Sequence, residues 1–494
     1  MILQEPCYNG QVDCVLTLDI GSSSARTLLF DFNGRQIPGF GSQIVYRAQT
    51  TPDGGWEIDP SALIGMVTQS IDAICGQMRA KGIKPAAVAV DTFWHSILGV
   101  DAEGNPTTAI LHAFDTRSAA AAQELARRID NTAQHSRTGC VLHPSYPPAR
   151  ILWLAETQAA AFRKTKSWMS AGEYLFLKLL GRAAASTSML SASGLWNQNA
   201  NDYDPELLSA LPIAREQLAA AATRDQPVEA KCQWAELSGI PWFPALGDGA
   251  CDNIGSGCTG KDRFALMVGT SGAMRAVVEA PQIQIPDGLF CYRVDGKRFV
   301  LGGALSNGGE VFAWMKRTLR LPDSNDEIEK QLAALTPASH GLTILPLFAG
   351  ERSPGWRADA SAAIAGLRSH TSPIEILRAS LEGVAMRFRS VYALMKASLG
   401  KPREVIASGG ALLHSATWTQ IMADTLPHAV IPCLEPETTS RGAALLALER
   451  LGVAPAAGSH YGQTIEPVDN NTALYMAAAE RQQRLYMKLF EEPQ

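Results

Sequence analysis

Residues 15–37 read VLTLDIGSSSARTLLFDFNGRQI. An apolar run over 15–19 ends on a carboxylate, Asp19. Four small residues follow, Gly21-Ser22-Ser23-Ser24, then a second apolar run over 26–32 and the pair Asn33-Gly34. Two short apolar runs around a small-residue turn predict a β-hairpin, and Asn-Gly predicts a second turn into a third strand. Consecutive small residues in a turn leave backbone N–H groups pointing outward, where phosphate oxygens can accept from them. Serine hydroxyls add donors, and glycine lets the backbone come close. Taken alone, the stretch reads as a plain hairpin with a solvated aspartate.

The same design returns about 250 residues later. FALMVGTSGAMRAVVEA, starting at Phe264, is again an apolar run, a small-residue turn and a second apolar run. Gly21-Ser22-Ser23-Ser24-Ala25 stands beside Gly269-Thr270-Ser271-Gly272-Ala273. A repeat at that spacing predicts duplicated domains rather than a short-period solenoid. Two such turns facing each other across a cleft would grip a polyphosphate from both sides. Asp19 between them would suit a hydrated Mg²⁺, which takes few carboxylates and keeps many waters.

The intervening chain alternates α and β. AAVAVDTF at 86–93 reads as a buried strand, and Ala-rich helical patterns lie near 60–80 and 117–129. Later come a long helix over 373–399, a strand, Gly-Gly turn and helix in EVIASGGALLHSATWTQIMAD, a connector AAGSH at 456–460 and a terminal helix over 472–490. With 494 residues, two domains are expected, divided here as 1–245 and 246–494.

Composition excludes several classes. The chain is 46% hydrophobic and 18% charged with a net charge of -5, which is ordinary for a globular protein. No basic cluster points to nucleic acid, and no apolar run reaches the roughly 18–20 residues that span a bilayer. MILQEPCYNG has neither a cationic start nor an apolar core, so no signal peptide is expected. Nine scattered cysteines without C-x-x-C, the nearest pair being Cys251 and Cys258, fit reduced thiols in the cytoplasm better than structural zinc. Neither G-x-x-x-x-G-K-[ST] nor a strand–G-x-G-x-x-G–helix fingerprint occurs.

Three further segments carry candidate chemistry. In FPALGDGACDNIGSG, Asp248 follows an apolar strand between Gly247 and Gly249. A carboxylate at a strand end suits a general base that takes a hydroxyl proton, and it equally suits a cap on the following helix. In DTFWHSI, Trp94 and His95 stand at a strand end, the usual ligand edge of an α/β sheet. Trp94 would pack on a sugar's C–H face while His95 bonds to hydroxyls; a purely structural histidine is the open alternative. Gly409-Gly410 in IASGGALLHS would let a flat ring approach the backbone.

Together these motifs resemble the FGGY carbohydrate kinases of the sugar kinase–Hsp70–actin superfamily, over residues 13–455. LDIGSSSAR and VGTSGAMR are similar to the two phosphate motifs. SYPPARILWLAET and AAIAGLRSHTSPIEILRASLE are similar to the two family signatures, and SGGALLHSATWTQIMAD to the adenosine motif. RTGCVLHPSYPP, GTSGAMR, SNGG and LFAGERSPGW look most like gluconate kinases. Xylulokinases, which share the residues at 95, 248 and 350–352, are the near alternative.

The resemblance implies two ribonuclease-H-like α/β domains with ATP and a sugar or sugar acid in the cleft between them. It implies Asp248 as catalytic base, Asp19 as the Mg²⁺–phosphate aspartate, and Gly21, Ser22, Ser23 and Arg26 on the phosphate side. Gly269, Thr270, Gly309 and Gly410 fall on nucleotide contacts, and Trp94 and His95 on the sugar pair. A homodimer is compatible with it. Three positions depart from the pattern. Arg150 stands where lysine is usual, Ala113 where a W-x-D-x-R motif has its Trp, and Trp94 where Met is frequent. The last two predict a reshaped sugar pocket, since packing tolerates volume changes only when they compensate. Arg117 is a candidate for holding a substrate carboxylate. A non-catalytic nucleotide switch on the same fold is the rival of another class. It sits poorly with the presence of both Asp19 and Asp248.

Overall fold

The computed structural model describes residues 13–456 and 458–491. The N-terminal decapeptide, Cys7 and residue 457 of the expected connector therefore lie outside the described residues. Two six-stranded sheets organise the chain. The first contains β1 (Cys14–Ile20), β2 (Ser24–Asp31), β3 (Gln36–Val45), β4 (Val88–Thr92), β5 (Val228–Glu229) and β6 (Pro241–Gly247), in the spatial order β5-β6-β4-β1-β2-β3. The second contains β7 (Arg263–Val268), β8 (Gly272–Glu279), β9 (Phe290–Arg293), β10 (Arg298–Leu305), β11 (Glu404–Ser408) and β12 (Val430–Pro432), in the order β9-β10-β8-β7-β11-β12.

The duplication read from the two turns extends to the sheets. β1 pairs antiparallel with β2 and parallel with β4, and β7 pairs antiparallel with β8 and parallel with β11. β3 and β10 extend the hairpins, and β6 and β12 extend the parallel sides. Each half adds one strand the other lacks, β5 beyond β6 and β9 beyond β10. The expected division between residues 245 and 246 lies inside β6.

Helices repeat the scheme. Among them are α1 (Pro60–Lys81), α2 (Ala119–Arg128), α3 (Ala171–Leu180), α4 (Asp248–Gly255), α5 (Gly309–Thr318), α6 (Pro373–Leu399), α7 (Ala416–Thr425), α8 (Thr438–Arg450) and α9 (Asp469–Phe490). α1 and α6 make the crossovers into β4 and β11. α1 starts on Asp59, whose side chain accepts from the Ala62 N–H, and stops at Gly82 with φ 66°. Its buried residues Leu63, Val67, Ile71, Ile74 and Met78 recur every three or four positions, one face against the sheet. Each such burial stabilises by roughly 1.5–3 kcal/mol. Leu377, Leu381, Val384, Phe388, Val391 and Met395 do the same on α6.

The two halves meet through α4 and α8. A Cβ on Gly255 would lie 1.8 Å from the Thr438 carbonyl, and one on Gly442 1.8 Å from the Cys251 carbonyl. The helices cross with backbone against backbone, which only glycine permits. Ala250, Cys251 and Ile254 of α4 share one core with Ala443, Ala444, Ala447 and Leu448 of α8 and with strands of both sheets. No helix among the described residues is long and apolar enough to cross a membrane.

Candidate active site

Three adjacent parallel strands of the first sheet end side by side and each delivers a carboxylate. Asp19 is the next-to-last residue of β1 and Asp91 of β4, and β6 runs through Gly247 into Asp248. Asp19 and Asp91 are direct partners in the register. Asp91 is fully buried, and among the described residues neither of its carboxylate oxygens has a hydrogen-bond partner. Burial pushes the Asp19 carboxyl up to about 6, against the pull of Arg26. Burial, and then Asp19 itself, push Asp91 well above the usual carboxylate range. Sequence reasoning missed Asp91, although VAVDT repeats the apolar-run-into-Asp signal of VLTLD.

Asp248 is the first residue of α4, not its cap. Gly247 is the N-cap, while Asp248 Oδ1 accepts from the next N–H, Gly249, at 2.7 Å. Burial raises its pKa and Arg275 partly offsets this. The flanking glycines are required by Trp94. A Cβ on Gly247 would fall 1.7 Å from Trp94 Nε1, and one on Gly249 2.4 Å from Trp94 Cζ3. The indole thus underpins the Asp248 turn, with its Nε1 donating to the Ser188 carbonyl at 3.2 Å.

The two small-residue turns open onto the same cavity as Asp248. This cavity, about 630 Å³, is lined by Ser22 and Ser23 from one turn and by Gly269, Thr270 and Ser271 from the other. Gly21 N–H closes the first turn on Ser24 O at 2.9 Å, and Gly269 N–H closes the second on Ser271 O at 3.0 Å. Among the described residues, the N–H groups of Ser22, Ser23, Thr270 and Ser271 donate to no protein acceptor. The second turn is braced from behind. Gly309 N–H donates to Gly269 O at 2.7 Å, and Glu310 N–H to Thr270 O at 3.1 Å. Gly309 also packs toward Ala411, next to Gly410, so Gly269, Gly309 and the Gly409-Gly410 corner form one glycine-walled surface. Gly409 has φ 88°, and a Cβ there would lie 2.4 Å from the Val268 carbonyl. Arg26 turns from the cavity to Glu437, before α8, at 2.9 Å, and lies 3.9 Å from Asp19.

The other end of the cavity is aromatic. His95 sits at φ 63°, with Nδ1 2.6 Å from the Ala192 carbonyl. A carbonyl only accepts, so Nδ1 carries the proton and Nε2 is left as an acceptor. Burial lowers the His95 pKa to about 3, so the ring is neutral. Tyr146 and Tyr292 pack edge-on at 4.9 and 5.1 Å and join their hydroxyls at 2.6 Å. Arg150, in the first signature, is fully buried and donates to the His95 and Leu111 carbonyls and, at 3.0 Å, to Pro144. It pins the strained His95 backbone. Ala113 and Trp94 line the same cavity, as do Trp56, whose ring is tilted against His112 at 4.4 Å, and Phe114.

Arg117 is committed elsewhere. Asp115 and Glu57 take its guanidinium at 2.5 and 2.6 Å, and it lies over Trp153 at 4.6 Å. The Gly350-Glu351-Arg352 loop has a split role. Glu351 faces the second half, accepting from Arg387, from Tyr486 at 2.5 Å and from Gly355 N–H at 3.3 Å. Arg352 and Trp356 face the cavity.

Comparison with known proteins agrees with this architecture. Residues 14–255 match the N-terminal domain, and residues 264–449 the C-terminal domain, of the FGGY family of carbohydrate kinases. Gluconokinase of Bacillus subtilis (strain 168) is 27% identical over 483 residues, covering 93% of each chain. The crystal structures of a ligand-bound xylulose kinase and of a gluconate kinase from Lactobacillus acidophilus superpose with TM-scores of 0.88 and 0.87. Each is 25% identical and covers 97% of this chain and 98% of its own. The chain belongs to the FGGY family of carbohydrate kinases, ATP-dependent phosphotransferases that act on sugar hydroxyls.

Proposed function

We propose that this FGGY kinase transfers the γ-phosphoryl group of ATP to the terminal hydroxyl of D-gluconate, yielding 6-phosphogluconate. The observation that carries the reading is one cavity shared by Asp248 and by two turns with unused N–H groups. The gluconokinase relatives and the guanidinium groups in the cavity wall support the acid over a neutral sugar. In this reading Ser22, Ser23, Thr270 and their backbone amides hold the phosphates, and Gly309 and Gly410 form the nucleotide side. Asp248 accepts the proton of the attacking hydroxyl. Oriented amides stabilise charge on the transferring group, the main source of rate in such transfers. His95 accepts a hydrogen bond from a sugar hydroxyl through Nε2. Trp94 fixes the Asp248 turn as well as lining the pocket, and with Ala113 reshapes its wall.

The buried Asp19–Asp91 pair, with unsatisfied oxygens on Asp91, fits a divalent cation. When bound, Mg²⁺ would neutralise phosphate oxygens, with Asp19 as its carboxylate and Asp91 beside it. The second reading, a pentulose kinase acting on D-xylulose, draws on the xylulose kinase with the 0.88 TM-score.

Coupled ADP-release kinetics over gluconate, xylulose, ribulose and related acids tests the assignment, with gluconate expected to give the highest kcat/KM. Xylulose in first place would replace it. Asp248→Asn is expected to lower turnover by roughly 10²–10⁴-fold while nucleotide still binds. Near-normal turnover would remove Asp248 from the role of base.

A further inference from the structure

Three guanidinium groups line the cavity: Arg47, Arg275 and Arg352. They differ in what already occupies them. Arg47 is exposed and follows Tyr46, whose hydroxyl reaches the Gly21 carbonyl, so it stands on the phosphate side. Arg275 lies along the backbone of the Asp248 turn, where a Cβ on Gly249 would come 3.0 Å from its Cζ, and is paired with Asp252 at 3.3 Å. Arg352 makes one hydrogen bond, Nη2 to the Leu305 carbonyl at 2.9 Å, and among the described residues no carboxylate lies within ion-pair distance of it. The adjacent Glu351 is turned away and spent on Arg387, Tyr486 and Gly355.

The surroundings of Arg352 are mostly uncharged. The histidines that feel its charge are held neutral by burial, His95 and His143 at about 3 and His112 well below its usual value. Its other close groups are the phenols of Tyr146 and Tyr292 and, more weakly, the like-charged Arg275 and the carboxylate of Asp248. Arg352 is half-buried, and a bidentate carboxylate is the partner that the fork geometry of an unpaired guanidinium fits best. Asp248 lines the same cavity, and gluconate offers both an alcohol for that carboxylate and a carboxylate of its own.

We propose that Arg352, although it stands in a Gly-Glu-Arg run that xylulokinases share, binds the carboxylate of an aldonate substrate in this protein. The inference rests on the sugar-acid reading above and assigns the end of the substrate opposite the reacting hydroxyl. Arg117, occupied by two carboxylates, has no part in it.

The test compares D-gluconate with D-glucitol, in which a CH₂OH replaces the carboxylate. Binding to the full-length protein is measured by calorimetry in the presence of Mg²⁺ and a non-hydrolysable ATP analogue. Wild type is expected to prefer gluconate by roughly 10- to 100-fold, the usual worth of a hydrogen-bonded charged group. Arg352→Gln should bring the ratio near one by weakening gluconate alone, with KM rising and kcat moving little, and Arg352→Lys should restore part of the preference. A wild-type ratio near one overturns the proposal without any variant, so misfolding of Arg352→Gln cannot shelter it. An unchanged ratio in a folded Arg352→Gln protein also overturns it. If wild type prefers another sugar acid and Arg352→Gln abolishes that preference, gluconate is wrong and Arg352 stands. If gluconate remains the substrate with an Arg352-independent preference, Arg352 is wrong and gluconate stands. Preference for a neutral ketose removes both.

Discussion

Asp19 and Asp91 face each other from adjacent strands, and their burial has a measurable consequence. The folded-state pKa of Asp19, about 6, lies above its ordinary 3.8. Between those values the folded protein holds a proton that the unfolded chain has lost. Stability from this group is therefore present at low pH and lost as pH rises through about 6. Asp19→Asn removes the ionisable group. Without nucleotide or Mg²⁺ it is expected to be more stable than wild type at pH 7.5, on the order of 1–3 kcal/mol, with the difference fading below about pH 4. Thermal melts across that range check it, and a variant less stable at pH 7.5 would contradict it. Sequence alone gave Asp19 its notice because a serine turn follows it. Asp91, 72 positions later, lacks that context, and its importance comes from register.

Elements differ in how much room they leave. Gly255 and Gly442 let α4 and α8 cross at backbone contact, whereas Gly65 and Gly76 in α1 have nothing within 4 Å of an added Cβ. Gly442→Ala is expected to destabilise the protein by roughly 1–3 kcal/mol through overpacking. Gly76→Ala should stabilise it by about 0.5–1 kcal/mol through helix propensity. Urea unfolding of both variants checks the contrast, and equal effects would mean that the crossing relaxes at no cost. The hairpins and long helices were legible in the sequence because their patterns are local. α6 begins and ends where the 373–399 pattern does, and β1 and β2 extend the expected runs by only one or two residues at most ends. The capping alternative for Asp248 is not realised. The chain enters α4 one residue earlier, through Gly247, and the carboxylate remains turned to its own next amide.

At the scale of the molecule, each half supplies a different part of the cavity. The first sheet ends in carboxylates and the second in glycines, and α4, α8 and the Arg26–Glu437 pair join the two. A cavity lined from both halves predicts closure when it fills, which excludes water and limits wasteful ATP hydrolysis. Small-angle scattering is expected to give a smaller radius of gyration with gluconate and an ATP analogue together than for the free protein. An unchanged radius, with rapid sugar-independent ATP hydrolysis, would rule out such closure.

By itself the sequence determined the α/β class, the duplication and the residues of both turns, because strand alternation, small-residue turns and helical periodicity are written within a few residues of one another. It also carried enough ordered motifs to indicate the family. The tertiary structure alone decided which side chains meet. It set Trp94 beneath Gly247 and Gly249, buried Asp91 against Asp19, locked Arg117 between Asp115 and Glu57, and turned Arg352 into the cavity while Glu351 faced away. The physical reason is that side-chain direction and charge pairing depend on contacts between distant segments, and those exist only once the two halves have packed.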